Sequence, residues 1–353
     1  MAKQRMNDFR ELKCEFLGKT VILGILFFII CCQLIARPKK NLHSVKNAVD
    51  AEHPFANSTV VGINGFLRVD GAQLVNQQGK PVALHGVSYG WHNFWPRFYN
   101  PSTVKWLKEN WHVSIVRAAI GVEPKGGYID NPQGALQAAE AIIKGAIDNG
   151  IYVIVDWHSH NINLDSAKQF FTYIAKKYHS FPNIIYEVFN EPDYESWPEV
   201  KQYAEQIIEV IREYDPQNVI LVGCPRWDQM INLPAQDPIT GYSNLMYTLH
   251  YYAATHKGEL RERASKAIAK GLPVFISESA GMEASGDGKI DYRQWHKWIK
   301  WADKRKISWI IWSISDKDET CSMLKKSANS MGGWSQNDLK ASGIHTKILL
   351  KKY

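Results

Sequence analysis

Cysteine is scarce where a fold would need it. Of five cysteines in 353 residues, Cys14, Cys31 and Cys32 lie in or beside an apolar stretch near the N-terminus. The other two, Cys224 and Cys321, form no CxxC pair and no zinc spacing, so neither a disulfide framework nor a structural zinc site underlies the fold. A single bridge between them is open to an exported protein, and two separate buried thiols are the simpler expectation. A GxGxxG turn after the first strand-like run is also lacking, which leaves a dinucleotide-binding open sheet without support; the "GDG" at 286–288 is a lone turn signal. Basic blocks are missing from most of the chain. Residues 1–50 hold nine Lys/Arg against four Asp/Glu, and the remaining 33 and 31 nearly balance, although the whole chain carries +7. Nucleic acid is therefore not an expected partner.

Long apolar runs are absent but for one. "TVILGILFFIICCQLIA" at 20–36 follows Lys3, Arg5, Arg10, Lys13 and Lys19, and its length of about 17 sits at the lower limit for a membrane span. Residues 1–36 read as a signal peptide or an N-terminal membrane anchor, placing the protein outside the cytoplasm, secreted or tethered to the envelope. Residues 37–60 are polar without clean periodicity and read as a linker, leaving 61–353 for one catalytic domain.

That domain opens with "FLRVDGAQLVNQQGKPV", short alternating runs around turn glycines, a β-hairpin pattern. Strand-like runs then recur at 82–89, 114–120, 152–157, 184–191, 218–223, 245–252, 273–280 and 308–315. Amphipathic stretches separate most of them, at 135–149, 165–179, 198–214, 259–270 and 291–305. Nearly continuous apolar strands alternating with helices indicate an α/β fold with a parallel sheet, and eight such units match a (β/α)8 TIM barrel.

Polar residues recur where these runs end: Arg117, Asp156 to His158, Asn190 and Glu191, His250 to Tyr252, Glu278 and Trp312. In a parallel barrel those carboxyl ends share one face, where active sites are built. Glu191 and Glu278, on the fourth and seventh strands, would approach one pocket from opposite sides, as glycoside hydrolysis requires. Arg117 and Tyr252 would keep Glu278 ionised as a nucleophile, while Glu191, with fewer charge partners, would keep its proton. Asn190 could hold a sugar 2-hydroxyl.

"VFNEP" at 188–192, "DWHSH" at 156–160, "LHYY" at 249–252, "FISES" at 275–279 and "IIWSISDKDET" at 310–320 together resemble glycoside hydrolase family 5, most of all its bacterial endo-β-1,4-glucanase branch. The resemblance covers about 63–350 and implies retaining hydrolysis with Glu191 as acid/base and Glu278 as nucleophile. It places Arg117, His158, Asn190, His250, Tyr252 and Trp312 around them, Lys317 and Glu319 on glucan hydroxyls of the non-reducing side, and Trp227 on the leaving-group side. The loop "SYGWHNFWP" and the "SESA" ending depart from the usual pattern without removing a catalytic group.

Plainer readings apply to several residues. Glu187 and Asp156 are expected to make internal hydrogen bonds, and His160 to be a loop residue. Trp295, Trp298, Trp301, Trp106 and Trp111 read as packing, whereas Trp91, Trp95, Trp227, Trp312 and Trp334 are candidates for sugar faces. The tail "KILLKKY" reads as the solvated end of the last helix. The expectation is a monomeric retaining endo-β-1,4-glucanase acting on a β-glucan polysaccharide or oligosaccharide, without cofactor or metal. Its membrane contact would be limited to an uncleaved N-terminal segment. The rivals are a mannanase or xyloglucanase of the same mechanism, a metal-dependent hydrolase using His158 and His160, and a non-catalytic carbohydrate-binding barrel.

Overall fold

The computed structural model describes residues 55–353. The segment 1–36 and most of the linker 37–60 lie outside the described residues. Among the described residues no helix is long and apolar enough to cross a membrane. Thr59 caps a short helix, α1 (Val60–Asn64), by accepting from Gly62 N–H. The hairpin follows as β1 (Arg68–Asp70) and β2 (Gln73–Val75), paired antiparallel.

Eight parallel strands then close into a barrel: β3 (His85–Tyr89), β4 (Ile115–Gly121), β5 (Tyr152–His158), β6 (Ile184–Glu187), β7 (Val219–Val222), β8 (Leu245–Tyr252), β9 (Val274–Ala280) and β10 (Trp309–Ile314). Every residue in these strands is buried, as strands covered on both faces must be. The connecting helices are α2 (Pro101–Trp111), α3 (Pro132–Asn149), α4 (Leu164–Tyr178) and α5 (Trp197–Tyr214), then α6 (Gly258–Ala269), α7 (Tyr292–Lys304) and α8 (Ala341–Leu350). Local chemistry sets their starts. Asn100, Asn131 and Asp291 each accept from a first-turn N–H, Pro101 and Pro132 occupy first helical positions, and Ser196 with Glu199 forms a capping box.

The barrel interior is layered, and the layering follows from side chains two residues apart sharing a face. Ile115, Ile154 and Ile185 join Leu221, Met246, Phe275 and Ile310 in an apolar cluster. Two residues further along three of these strands come Arg117, Asp156 and Glu187, all fully buried. These three strands thus run from an apolar floor toward a polar mouth at their carboxyl ends. Val61, Leu67, Leu74 and Leu84 pack into the same apolar cluster, so α1 and the hairpin plug the amino-terminal end.

Two details differ from the sequence reading. Trp334 is buried against Phe98 and Trp111, where its loop folds back on α2, so it offers no face to a sugar. Tyr353 does not merely trail into solvent: its ring stacks on His85 at 3.7 Å and its hydroxyl donates to Asp303. Cys224 and Cys321 are both free and buried.

Because the hairpin completes the apolar cluster, Leu74→Ala should lower the unfolding free energy by about 2–5 kcal/mol. Denaturant titration measures this; a loss near zero would show that the hairpin only rests on the barrel.

Candidate active site

Arg117 sits on β4 at the centre of the mouth with no solvent exposure. A guanidinium in that position is tolerable only if its donors and its charge are met. Nε donates to Glu187 at 2.6 Å, Nη1 to Glu278 at 2.9 Å and Nη2 to Asn190 Oδ1 at 2.6 Å, with Asp156 Oδ2 3.0 Å from Nη2. Burial opposes the charge, yet the three carboxylates hold the guanidinium pKa above its ordinary value. Glu187 and Asp156 therefore make internal contacts, as their depth in the strands suggested.

Glu278 lies near the end of β9, level with His250 on β8. Its Oε2 takes the bond from Arg117, and its Oε1 accepts from the Tyr252 hydroxyl at 2.7 Å. The cation and phenol expected beside it are both there. Glu191 lies past the end of β6, which stops at Glu187; the chain beyond is pinned by Asn190 N–H to Trp157 O and by Glu191 N–H to Ser159 O. Its Oε1 stands 2.9 Å from His250 Nδ1, and a carboxylate oxygen of each glutamate lies within 4.8 Å of the other. Asn190, its Oδ1 taken by Arg117, keeps a buried Nδ2 donor without a protein partner.

The proton balance differs from the sequence expectation. Burial, followed by the negative charge of Glu191, raises Glu278 above the usual carboxylate range despite Arg117 and Tyr252. Burial also works against the Glu191 anion, but the hydrogen bond and charge of His250, with His160 behind them, bring its pKa below the ordinary value. The missing element was the contact of His250 with Glu191; a register shift falls between Thr248 and His250, and His250 pairs level with Glu278. Two carboxyls this close titrate as a coupled pair.

The remaining residues form the walls. His158 bonds to Asp156 through Nδ1 at 2.7 Å, and burial together with Arg117 depresses its pKa far enough to keep it neutral. With the Nδ1 proton on Asp156, Nε2 is left as an acceptor. Trp312 stacks on His158, rings 5° from parallel. These residues, Glu191, Glu278 and Tyr252 line a cleft of about 540 Å³ together with Trp91, Phe94, Trp95, Lys317 and Glu319. Lys317 and Glu319 are joined by an ion pair. Trp227 stands apart from this lining and is 39% exposed.

Three residues of the site escaped the sequence reading. Phe94, half exposed, joins the aromatic wall, and only the aromatic density of its loop hinted at this. His160, read as a plain loop residue, lines the cleft, stacks on Trp91 and stands 3.8 Å from Glu191 Oε2. Asp228, buried beside His250, had no signal beyond its neighbour Trp227.

Glu191, His250 and Glu278 are also the set whose spacing could admit a metal ion. Their electrostatics oppose it: Glu278 already faces the Arg117 cation and a phenol donor, and His250 Nδ1 is engaged with Glu191. His158 and His160 belong to no such set among the described residues. The arrangement is that of two facing carboxyls flanked by aromatic planes and hydroxyl-binding groups.

A family model described as cellulase (glycosyl hydrolase family 5) matches residues 75–318. An endoglucanase of Clostridium saccharobutylicum is 37% identical over 299 residues, which is 83% of this chain and 66% of that protein. Endoglucanase A of Evansella cellulosilytica is 39% identical over 282 residues, 78% of this chain and 57% of its own length. The chain thus spans less than two thirds of the length of these curated relatives. The catalytic domain of a Thermobifida fusca endoglucanase, solved in complex with cellotetraose, superposes with a TM-score of 0.79 at 33% identity, covering 83% of this chain and 99% of that one. With the closed barrel and the paired glutamates at its mouth, these similarities establish that the chain belongs to the cellulase family, glycosyl hydrolase family 5.

Proposed function

We propose that the protein is a retaining endo-β-1,4-glucanase, and the observation that carries this reading is the approach of Glu191 and Glu278 across one cleft. Retaining enzymes need carboxyl groups about 5–5.5 Å apart, inverting ones about 6.5–9.5 Å. Oxygens within 4.8 Å of each other fit the first class. Glu278 attacks the anomeric carbon while Glu191 gives a proton to the departing glycosidic oxygen; the sugar is then esterified to Glu278, and Glu191 takes a proton from the water that releases it.

The coupled acids suit both steps. The productive Michaelis state holds one proton on the pair, and a glycosidic oxygen accepting from Glu191 selects the arrangement in which Glu191 carries it. Esterification then erases the negative charge of Glu278. That removes the repulsion favouring a protonated Glu191, and the hydrogen bond from His250 favours the carboxylate that acts as base. Asn190 Nδ2, buried without a protein partner, supports a role as donor to the 2-hydroxyl. Trp312, Trp91, Trp95 and Phe94 offer planes for the C–H faces of glucose units, and Lys317 with Glu319 offers edges for their hydroxyls.

A β-1,4-glucan substrate is supported by the endoglucanase names of the relatives and by cellotetraose in one of them. Export is proposed on the basic and apolar pattern of residues 1–36, with 37–60 as the tether to the barrel.

Glu191→Gln and Glu278→Gln should each reduce turnover of carboxymethylcellulose by at least about a thousand-fold while leaving binding of cello-oligosaccharides, and turnover within tenfold of wild type would remove that residue from the scheme. Reducing ends should appear on carboxymethylcellulose in preference to mannan or xyloglucan; faster release from either rival polymer would reassign the substrate. The kcat/KM profile should be bell-shaped. Loss of the last proton from the pair, governed by the raised Glu278 value, sets the alkaline limb, and uptake of a second proton as pH falls, which neutralises the nucleophile, sets the acid limb. A profile flat from pH 4 to 9 would contradict the coupled pair.

A further inference from the structure

The turn after β7 carries a buried acid that the scheme above does not use. Arg226, Trp227 and Asp228 occupy left-handed backbone in succession, with φ of 59°, 54° and 58°. Non-glycine residues visit this region singly, so a run of three needs surrounding structure to hold it. Trp227 N–H donates to Pro192 O at 3.0 Å, Asp228 N–H donates to Cys224 O at 3.0 Å, and Cys224 N–H returns a bond to Asp228 Oδ1. The result is that Trp227 faces outward and Asp228 is fully buried.

The inward oxygen, Oδ2, has no well-aligned hydrogen bond of its own and lies 3.2 Å from His250 Nε2. The same nitrogen is 2.9 Å from Ser277 Oγ, and the opposite nitrogen, Nδ1, is 2.9 Å from Glu191 Oε1. Asp228, His250 and Glu191 therefore form a line from the turn after β7, through β8, to the acid beyond β6.

We infer that Asp228 is a positioning residue of the hydrolytic site, which keeps a proton on His250 Nε2 and thereby holds the Nδ1–H of His250 on Glu191. The inference rests on the reading of Glu191 as the acid/base. Other groups also face His250. Glu187 from β6 stands 3.8 Å from Nε2, and Glu278 on β9, Asp156 and His158 on β5 and His256 in the following turn act on it through space. Asp156, Glu187 and Glu278 each share their charge with Arg117, and Glu191 faces the cleft. Asp228 is the nearest carboxylate to Nε2 and, among the described residues around this ring, the one committed to neither. Burial by itself would strip His250 of its proton, and Asp228 is the largest influence opposing that. Burial likewise pushes the Asp228 carboxyl well above its ordinary value, and the charge of His250 is the largest influence opposing it, so each charge depends on the other.

A plain structural role, capping the Cys224 N–H, is separable from the electrostatic one. Asp228→Asn keeps an acceptor at Oδ1 and removes only the charge. In that variant His250 should lose its extra proton near neutral pH. Glu191, no longer beside an imidazolium, should then hold its own proton to higher pH, moving the alkaline limb of kcat/KM upward by about one unit. An unmoved limb with only a lower kcat would overturn the inference in favour of the cap. The 15N NMR spectrum of the histidine rings gives a second readout that needs no turnover. At pH 7 His250 should be doubly protonated in the wild-type protein and neutral in Asp228→Asn. A neutral His250 in the wild-type protein overturns the inference even if the variant does not fold, and so does an imidazolium that persists in the variant. Failure of the Glu191 assignment would show separately, as retained turnover in Glu191→Gln, with the His250 spectrum unaffected.

Discussion

One buried guanidinium organises the mouth of this barrel. Arg117 reaches three carboxylates and an amide from a position without solvent, and each of those groups would be untenable there alone. Asp156 fixes His158, and Glu187 stands between Arg117 and His250. Asn190 is turned so that its amide nitrogen is left over, and Glu278 is held with one oxygen on the cation and the other on Tyr252. Glu278, Asn190 and, through Asp156, the His158 ring stacked on Trp312 are thus oriented from a single point. Removing the cation would leave buried anions without compensation, so fold and chemistry share this dependence.

The second element of the site hangs on His250. It links Glu191 to the interior and makes the two glutamates electrically unequal, although both are carboxyls on neighbouring parts of one cleft. An acid that must act as donor in one step and as base in the next benefits from a partner that stabilises its anion without fixing it there. His250 does this for Glu191, whereas Arg117 faces Glu278 with a charge that does not titrate. In the proposed scheme the permanent cation faces the nucleophile and the titratable one faces the acid/base.

Much of this was legible in the residues. A strand such as "YVIVDW" is apolar throughout because a barrel strand is covered on both sides, and the polar residue at its end marks the open face. The same logic grouped Arg117, Asn190, Glu191, His250, Tyr252 and Glu278 as residues at strand ends, with His250 and Tyr252, two apart, on one side of their strand. What stayed hidden depends on backbone detail that period-two reasoning cannot carry. A register shift falls just before His250, whose ring meets Glu191 and so alters the proton balance of the pair. Three left-handed residues decide that Asp228 points inward while Trp227 points out. A loop folding back on α2 decides that Trp334 is packing, and the turn after β5 brings His160 against Trp91.

The central claim is that Glu278, gripped by Arg117 and Tyr252, is the atom source of a covalent glycosyl-enzyme. Incubation with a 2-deoxy-2-fluoro cellobioside bearing a good leaving group, followed by mass spectrometry of proteolytic peptides, tests it directly. The account predicts one fluorocellobiosyl group per chain, esterified to Glu278. A label on Glu191 or Glu187, or turnover of the probe with no trapped ester, would contradict it.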